Sequence, residues 1–101
     1  MLNLTKDNFN DFCKNNELAL VDFWAPWCGP CRMLGPVLEE LQAELNIAVG
    51  KVNVDEEDDI SEAFQIRSIP ALFLFKNGKL VDKKVGFLPK EALKTWIKQH
   101  E

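Results

Sequence analysis

Apolar residues recur along the chain at two different spacings, and the change of spacing separates predicted strands from predicted helices. The run 18–24 is short, apolar and partly β-branched or aromatic, which is typical of a buried strand. Downstream of it, apolar side chains recur at three- and four-residue steps, which predicts an amphipathic helix reaching about Leu45. The apolar positions of this helix are Met33, Leu34, Val37, Leu38, Leu41 and Leu45. Pro36 lies inside the helix and predicts a kink there.

The same reasoning divides the rest of the chain into shorter elements. Asn77-Gly78 lies between two apolar runs and predicts a hairpin turn, after which the chain returns antiparallel. The remaining predicted elements are a helix capped by Thr5 and ending near Asn15, strands at 47–54, 71–75 and 80–85, a short helix around Ile60 and a last helix opened by Pro89. Strands that alternate with helices, followed by a hairpin and a helix, predict an α/β fold with a mixed sheet covered on both faces.

The residues Trp27-Cys28-Gly29-Pro30-Cys31 carry the strongest chemical signal in the chain. They fall where the first long strand gives way to the long helix, so Cys28 should lie at or next to a helix N-terminus, where free N–H groups favour a thiolate. Cys31 follows one turn later on the same face, close enough to form a disulfide with Cys28. We expect Cys28 to be the more exposed thiol and the attacker, and Cys31 to be more buried and to resolve the mixed disulfide.

Composition narrows the possible functions. The chain has 101 residues, 47% of them hydrophobic, which suits one domain spanning 1–101 with a modest core. Its formal net charge is −4 and no basic stripe is present, which argues against a nucleic-acid partner. No stretch is long enough to span a membrane, and no signal peptide is visible, so we expect a cytoplasmic protein. In that compartment a close cysteine pair is more often catalytic or metal-binding than structural.

With these motifs in place, the chain resembles the thioredoxin family essentially from end to end. A bare Cys-X-X-Cys is a weak signal, whereas the full pentapeptide after such a strand, with Ile69-Pro70 about forty residues later, is a strong one. The matching segments are 21–25, 27–31, Pro36, Lys51, Asp55, Ile69-Pro70, 75–78 and Val85-Gly86. The resemblance implies a thioredoxin fold, with a central mixed sheet of four to five strands flanked by about four helices.

The family also implies a function. It suggests a monomeric general protein-disulfide reductase that takes electrons from a flavin-dependent thioredoxin reductase and passes them to disulfide-containing client proteins, without a metal or organic cofactor. The Gly29-Pro30 spacer accompanies the reducing members of the family. The resemblance further implies a cis bond before Pro70 and a substrate peptide that pairs with backbone near Ile69. The other residues implied in substrate binding are Trp27, Gly29, Pro30 and Gly86.

Asp22 and Lys51 are the polar residues of greatest interest within apolar runs. Asp22 shares strand parity with Leu20 and Trp24, so its carboxyl group should face an apolar interior and have a raised pKa. It could act as a proton shuttle for Cys31 through water, or it could be a structural carboxylate paired with Lys51. The two interpretations are compatible. The resemblance favours the shuttle and places Lys51 near Asp22, where it would tune the titration of that carboxyl group.

Two rival functions remain open at this point. A structural zinc module could formally use Cys28, Cys31, Cys13 and His100, although Cys13 and His100 lack the paired spacing of such sites. Alternatively, the fold could serve only as a docking surface without catalysis. We expect Cys13 to be an inert core thiol and His100 to stabilise the C-terminal end of the last helix. The acidic run 55–59 is expected to cap the helix that follows it and to complement the dipole at the start of that helix.

Overall fold

The computed structural model describes residues 1–101 and contains five strands and four helices. In chain order, the elements are β1 (Leu2–Asn3), α1 (Phe9–Lys14), β2 (Leu18–Trp24), α2 (Gly29–Leu45), β3 (Ala48–Asn53), α3 (Asp58–Ala63), β4 (Ala71–Lys76), β5 (Lys79–Val85) and α4 (Lys90–Lys98). The expected mixed α/β sheet is therefore confirmed, with element bounds close to those that the apolar patterns predict. No helix is both long and apolar enough to cross a membrane.

The five strands form one sheet in the order β1-β3-β2-β4-β5. β1, β3 and β2 run parallel, whereas β4 is antiparallel to β2 and β5 is antiparallel to β4. The register sets Asp22 on β2 opposite Lys51 on β3 and opposite Leu72 on β4. Parallel strands carry their carboxyl ends to the same edge of a sheet, so the segments that follow β2 and β3 meet there.

Side chains alternate between the two faces of the sheet and build a separate core on each. The core on the α1 and α3 side is aromatic, with Phe9, Phe23, Phe64, Phe73 and Phe75 in a chain of ring contacts. The other core packs α2 and α4 onto the sheet through aliphatic side chains and Trp96. Since Leu72 and Leu74 belong to this second core, their cross-strand partners Asp22 and Asp82 project from the same face of the sheet.

The N-terminal segment differs from the prediction in two ways. β1 was not predicted, because two residues are too short to show an alternating pattern. The first helix begins at Phe9, not directly after Thr5. The Thr5 carbonyl accepts hydrogen bonds from the N–H groups of Asn8 and Phe9, and its hydroxyl accepts one from the Asp7 N–H. Thr5 thus closes a turn ahead of the helix, and the expectation that it caps the helix is wrong.

The acidic run agrees with the prediction only in part. α3 begins at Asp58 with Glu57 at its N-cap, and no side-chain hydrogen bond caps that helix, so the expected capping is wrong. Asp58 and Asp59 lie in its first turn, where a negative charge complements the helix dipole as expected. Asp55 lies ahead of the helix and accepts a hydrogen bond from the Trp27 indole N–H.

Candidate active site

Cys28 is the N-cap residue of α2, and Cys31 lies one turn into that helix. Cys28 has an extended backbone, with φ −88° and ψ 112°, and its Sγ accepts a hydrogen bond from the Cys31 N–H at 3.2 Å. Pro30 occupies the first turn, where a missing N–H costs no helical hydrogen bond. The two Cα atoms are 5.2 Å apart and the sulfurs are joined as a disulfide. The strand-to-helix junction thus places a closed dithiol pair at the positive end of a helix.

The two cysteines differ only slightly in exposure. Cys28 is 6% exposed and Cys31 is 3% exposed, so the order is the expected one, although both are buried. They form a small cluster with Ala25, against which Trp24 and Ile69 pack.

A rim surrounds the disulfide, in which Trp27, Gly29 and Pro30 are exposed, Ile69 and Gly86 are half-buried and Pro70 is buried. Trp27 is 69% exposed, and its indole N–H donates a hydrogen bond to Asp55 Oδ2 at 2.9 Å. On the other side, the carbonyl oxygen of Ile69 lies 3.9 Å from Cys28 Sγ. The bond between Ile69 and Pro70 is cis, as the resemblance implies, and the Pro70 carbonyl accepts from the Gly86 N–H at 2.8 Å.

Glycine and proline shape the rest of this rim. Gly86 has a φ of +95°, in the region that side-chain-bearing residues avoid, and nothing lies within 4 Å of where its Cβ would be. Gly29 and Pro30 are both exposed beside the disulfide. The structure therefore gathers all the residues expected to bind substrate, namely Trp27, Gly29, Pro30, Ile69, Pro70 and Gly86, into the neighbourhood of Cys28.

Behind the disulfide, Asp22 is buried, with an exposed fraction of only 2%. Burial raises the pKa of its carboxyl group from 3.8 to about 7, against a smaller lowering by the positive charge of Lys51. No protein group hydrogen-bonds to Asp22 Oδ1. A carboxyl group with a pKa near 7 can both accept and release a proton at neutral pH.

A cavity of about 220 Å³ connects Asp22 with the second cysteine. It is lined by Met1, Asp22, Trp24, Cys31, Arg32, Gly35, Pro36, Glu39 and Lys51. The ammonium nitrogen of Lys51 lies 4.6 Å from the centroid of the Trp24 ring, within cation–π range. Trp24 is only half-buried and lines this cavity.

The formal zinc set is not brought together. Cys13 lies in the aromatic core on the α1 and α3 side, where burial raises the pKa of its thiol to about 11. His100 lies beyond α4 on the opposite side of the sheet and bonds to Asp82 at 2.9 Å. Since Cys13 and His100 are separated by the sheet, they cannot share a metal ion with Cys28 and Cys31. His100, which was expected to stabilise the C-terminal end of the last helix, directs its imidazole to Asp82 on β5.

Sequence reasoning missed two features of this region. It gave Asp55 no role at the site, although Asp55 lies just beyond the end of β3, Trp27 lies just beyond the end of β2, and parallel strands end at one edge. That shared edge was the available signal. It also missed the unpartnered indole nitrogen of Trp24, which no one-dimensional pattern reveals.

Comparisons with known proteins agree with this geometry. The family model described as Thioredoxin matches residues 1–99. Over 98 residues, the chain is 48% identical to the thioredoxin of Chlamydia caviae, covering 96% of this chain and 95% of the relative. It is 44% identical over 103 residues to the thioredoxin of Haemophilus influenzae, covering 99% and 96% of the two chains.

Solved structures extend the same likeness to the fold. A mutant thioredoxin from Halobacterium salinarum superposes with a TM-score of 0.93 at 38% sequence identity, over 97% of this chain and 88% of the other. Plasmodium falciparum thioredoxin gives a TM-score of 0.90 at 35% identity over the whole of both chains. The chain therefore belongs to the thioredoxin family of thiol–disulfide oxidoreductases, and Cys28 and Cys31 are its redox pair.

Proposed function

We propose that this chain acts as a general protein-disulfide reductase that receives its electrons from a flavin-dependent thioredoxin reductase. It would work as a single-domain monomer in the cytoplasm. The observation that carries the proposal is the position of the pair: Cys28 caps α2 beneath an exposed rim, while Cys31 shares a cavity with a buried carboxyl group. This arrangement supports a role for Cys28 in attacking the client disulfide and a role for Asp22 in accepting the proton of Cys31.

In the first step, the thiolate of reduced Cys28 attacks one sulfur of a client disulfide. A Cys28–client mixed disulfide forms, the client S–S bond breaks, and the second client sulfur leaves as a thiolate. The N-terminus of α2 favours the attacking thiolate, since the Cys31 N–H points at Cys28 Sγ and the helix dipole is positive there. No cofactor takes part in this step.

In the second step, Cys31 attacks Cys28 Sγ and releases the remaining client sulfur. Cys31 must first lose its proton, and Asp22 is the base placed to receive it across the shared cavity. The Cys28–Cys31 disulfide forms as the mixed disulfide breaks, so two electrons pass to the client. Burial raises the proton affinity of Asp22, and the positive charge of Lys51 lowers it by a smaller amount. The reductase later returns two electrons and two protons to the pair.

The rim supplies the docking surface for both partners. An extended client segment can pair with the free backbone near Ile69 and approach closely at Gly86, which has no side chain to obstruct it. Trp27 offers a flat apolar surface whose orientation is fixed by its hydrogen bond to Asp55.

The reduction potential of the Cys28–Cys31 pair tests this function most directly. Equilibration against a dithiol buffer, followed by tryptophan fluorescence, should give a value near the roughly −270 mV typical of thioredoxin. A value near −180 or −120 mV, roughly those of a disulfide isomerase and a strong oxidant, would contradict a reductase role. Absence of a redox transition would favour a docking module.

The order of attack can be tested with Cys31→Ser. Without the resolving thiol, mixed disulfides between Cys28 and its clients should accumulate and survive non-reducing electrophoresis. Cys28→Ser should trap none, and Cys13→Ser is the matched control because Cys13 is buried in the aromatic core. Trapping by Cys28→Ser instead would reverse the assigned roles. Full cellular function of the Cys28→Ser, Cys31→Ser double variant would favour the docking-module alternative.

A further inference from the structure

Two buried polar atoms near the redox pair have no hydrogen-bonding partner in the protein. They are Asp22 Oδ1 and Trp24 Nε1. Buried polar atoms in native proteins nearly always have a partner, which is a protein group or an ordered water. Both residues line the cavity of about 220 Å³ that also contacts Cys31. A water takes up roughly 30 Å³ in the liquid, so this cavity has room for several.

Trp24 also contacts the one charged residue that tunes Asp22. The Lys51 ammonium lies 4.6 Å from the centre of the Trp24 ring, and Lys51 is the cross-strand neighbour of Asp22. The flexible side chain of a lysine would otherwise sample many positions. The indole face therefore holds the positive charge on the cavity side of the sheet, beside the carboxyl group that it influences.

We propose that Trp24 is a positioning residue for proton transfer at Cys31. Its indole N–H anchors a cavity water shared by Asp22 and Cys31, and its ring holds Lys51 beside Asp22. This inference rests on the proposed function, in which Asp22 is the base. The proton moves from Cys31 Sγ to the water while the water passes a proton to Asp22, leaving a Cys31 thiolate and a neutral carboxyl group.

The direction of the expected effect follows from the groups that face Asp22. Lys51 faces it from β3, and Cys31, Arg32 and Glu39 face the cavity from α2, while its β4 neighbour is the apolar Leu72. A water oriented by the indole N–H donates toward the Asp22 carboxylate, and a well-placed Lys51 attracts it. Loss of the indole weakens both, so the carboxyl group should hold its proton to a higher pH.

Trp24→Phe tests the proposal because it removes the N–H and keeps an aromatic ring. The measurement is the pH profile of the rate at which the reduced protein cleaves a chromogenic aromatic disulfide. This absorbance assay does not depend on tryptophan fluorescence, which the substitution would change. The inflection that belongs to Asp22 should move up by about half a pH unit to one unit. Below the inflection, this corresponds to a rate loss of roughly three- to tenfold.

Trp96→Phe is the matched control for the same chemical change elsewhere. Its indole N–H donates to Asp82 at 2.8 Å, on β5 and away from the cavity. This variant should lose stability but leave the inflection in place. Asp22→Asn distinguishes the proposed role of Asp22 from that of Trp24. If Asp22→Asn leaves the pH profile unchanged, the proposed role of Asp22 fails. If Asp22→Asn abolishes the inflection and folded Trp24→Phe does not move it, only the role of Trp24 is overturned.

A measurement on the unaltered protein keeps the proposal testable if Trp24→Phe does not fold. The indole Nε1–H resonance of Trp24 should show magnetisation transfer from water and should titrate with the inflection of Asp22. In Asp22→Asn, the same resonance should no longer titrate over that range. A Trp24 resonance with no water contact, or one that is independent of pH in the unaltered protein, would overturn the proposal.

Discussion

Two aspartates on one face of the sheet show how differently the fold treats the same side chain. Asp22 on β2 is buried, and its Oδ1 has no protein partner. Asp82 on β5 is half-exposed and accepts hydrogen bonds from the Trp96 indole N–H at 2.8 Å and from the His100 ring at 2.9 Å. Each aspartate has a tryptophan near it, yet only Trp96 donates to its aspartate.

The pKa values of the two carboxyl groups diverge accordingly. Burial raises the pKa of Asp22 to about 7, whereas hydrogen bonds, first from Trp96 and then from His100, lower the pKa of Asp82 to about 2. A buried carboxyl group without a protein donor favours its neutral form, while one supplied with protein donors favours its charged form. The raised pKa of Asp22 suits the proton transfer proposed above, whereas the hydrogen bonds to Asp82 join β5 to Trp96 on α4 and to His100 beyond it.

Replacing Asp22 by Asn should give the largest effect. Because the pKa of Asp22 is raised from 3.8 to about 7, the native state holds this proton more tightly than the unfolded state, and stability falls as pH rises from about 4 to about 7. Asp22→Asn removes that dependence and should be more stable above pH 7 by at most about 4 kcal/mol, with little difference at pH 4.

Denaturant unfolding of the oxidised proteins at a series of pH values measures this difference. Parallel stability curves for Asp22→Asn and the unaltered protein between pH 4 and 8 would show that folding does not raise the pKa of the Asp22 carboxyl group. Asp22 and Asp82 would then not have pKa values shifted in opposite directions.

Removing the charge of Lys51 should increase the contrast between the two aspartates. Lys51→Gln leaves the burial of Asp22 unopposed, so the pKa of that carboxyl group should rise further above about 7, by roughly one unit. Carbon-detected NMR titration of the carboxyl group measures the shift. Lys79→Gln, at the far end of β5, is the charge-matched control and should leave the titration of Asp22 unchanged. A lower pKa of Asp22 in Lys51→Gln would contradict the assigned influence of this charge.

Replacing Asp82 by Asn should have a smaller effect with the opposite pH dependence. The lowered pKa of Asp82 contributes stability that is present above about pH 4 and is lost as pH falls through about 2. Asp82→Asn should therefore lower the melting temperature at pH 6, and the difference should shrink toward pH 2. A deficit that stays constant over this range would indicate lost packing instead of a lost charge interaction.

The smallest expected difference separates the two donors to Asp82. Trp96→Phe and His100→Gln should each raise the pKa of Asp82 from about 2 toward its ordinary value, and Trp96→Phe should raise it more, since its indole hydrogen bond is the largest cause of the lowering. NMR titration of the Asp82 carboxyl group in both variants ranks the donors. A larger rise in His100→Gln would reverse this ranking.

Most of the regular structure could be predicted because it follows from local periodicity. The runs that became β2, β3 and β4 are apolar enough to mark buried strands, and the three- and four-residue spacing marks α2. β1 could not be predicted, since it exists only because two residues find the free edge of β3. The start of α1 was missed because the carbonyl and hydroxyl groups of Thr5 accept hydrogen bonds within a tight turn that precedes the helix.

The candidate site divides in the same way. Strand parity predicted that Asp22 faces the interior, and the pentapeptide placed Cys28 at a helix N-terminus, as the structure confirms. The contact of Trp27 with Asp55 spans 28 residues, and the contact of Asp82 with His100 spans 18. Neither follows from periodicity, because each depends on where neighbouring elements end relative to one another.

The sequence by itself determined the redox pair, the strand and helix that hold it, and the inward direction of Asp22, since these depend on spacing along one or two adjacent elements. The tertiary structure alone decided the chemistry of the polar groups. It buried both cysteines, left Trp24 and Asp22 to share a cavity with Cys31, and gave Asp82 the donors that Asp22 lacks. The physical reason is that a pKa depends on desolvation and on donors from distant segments, and both exist only after the elements have packed.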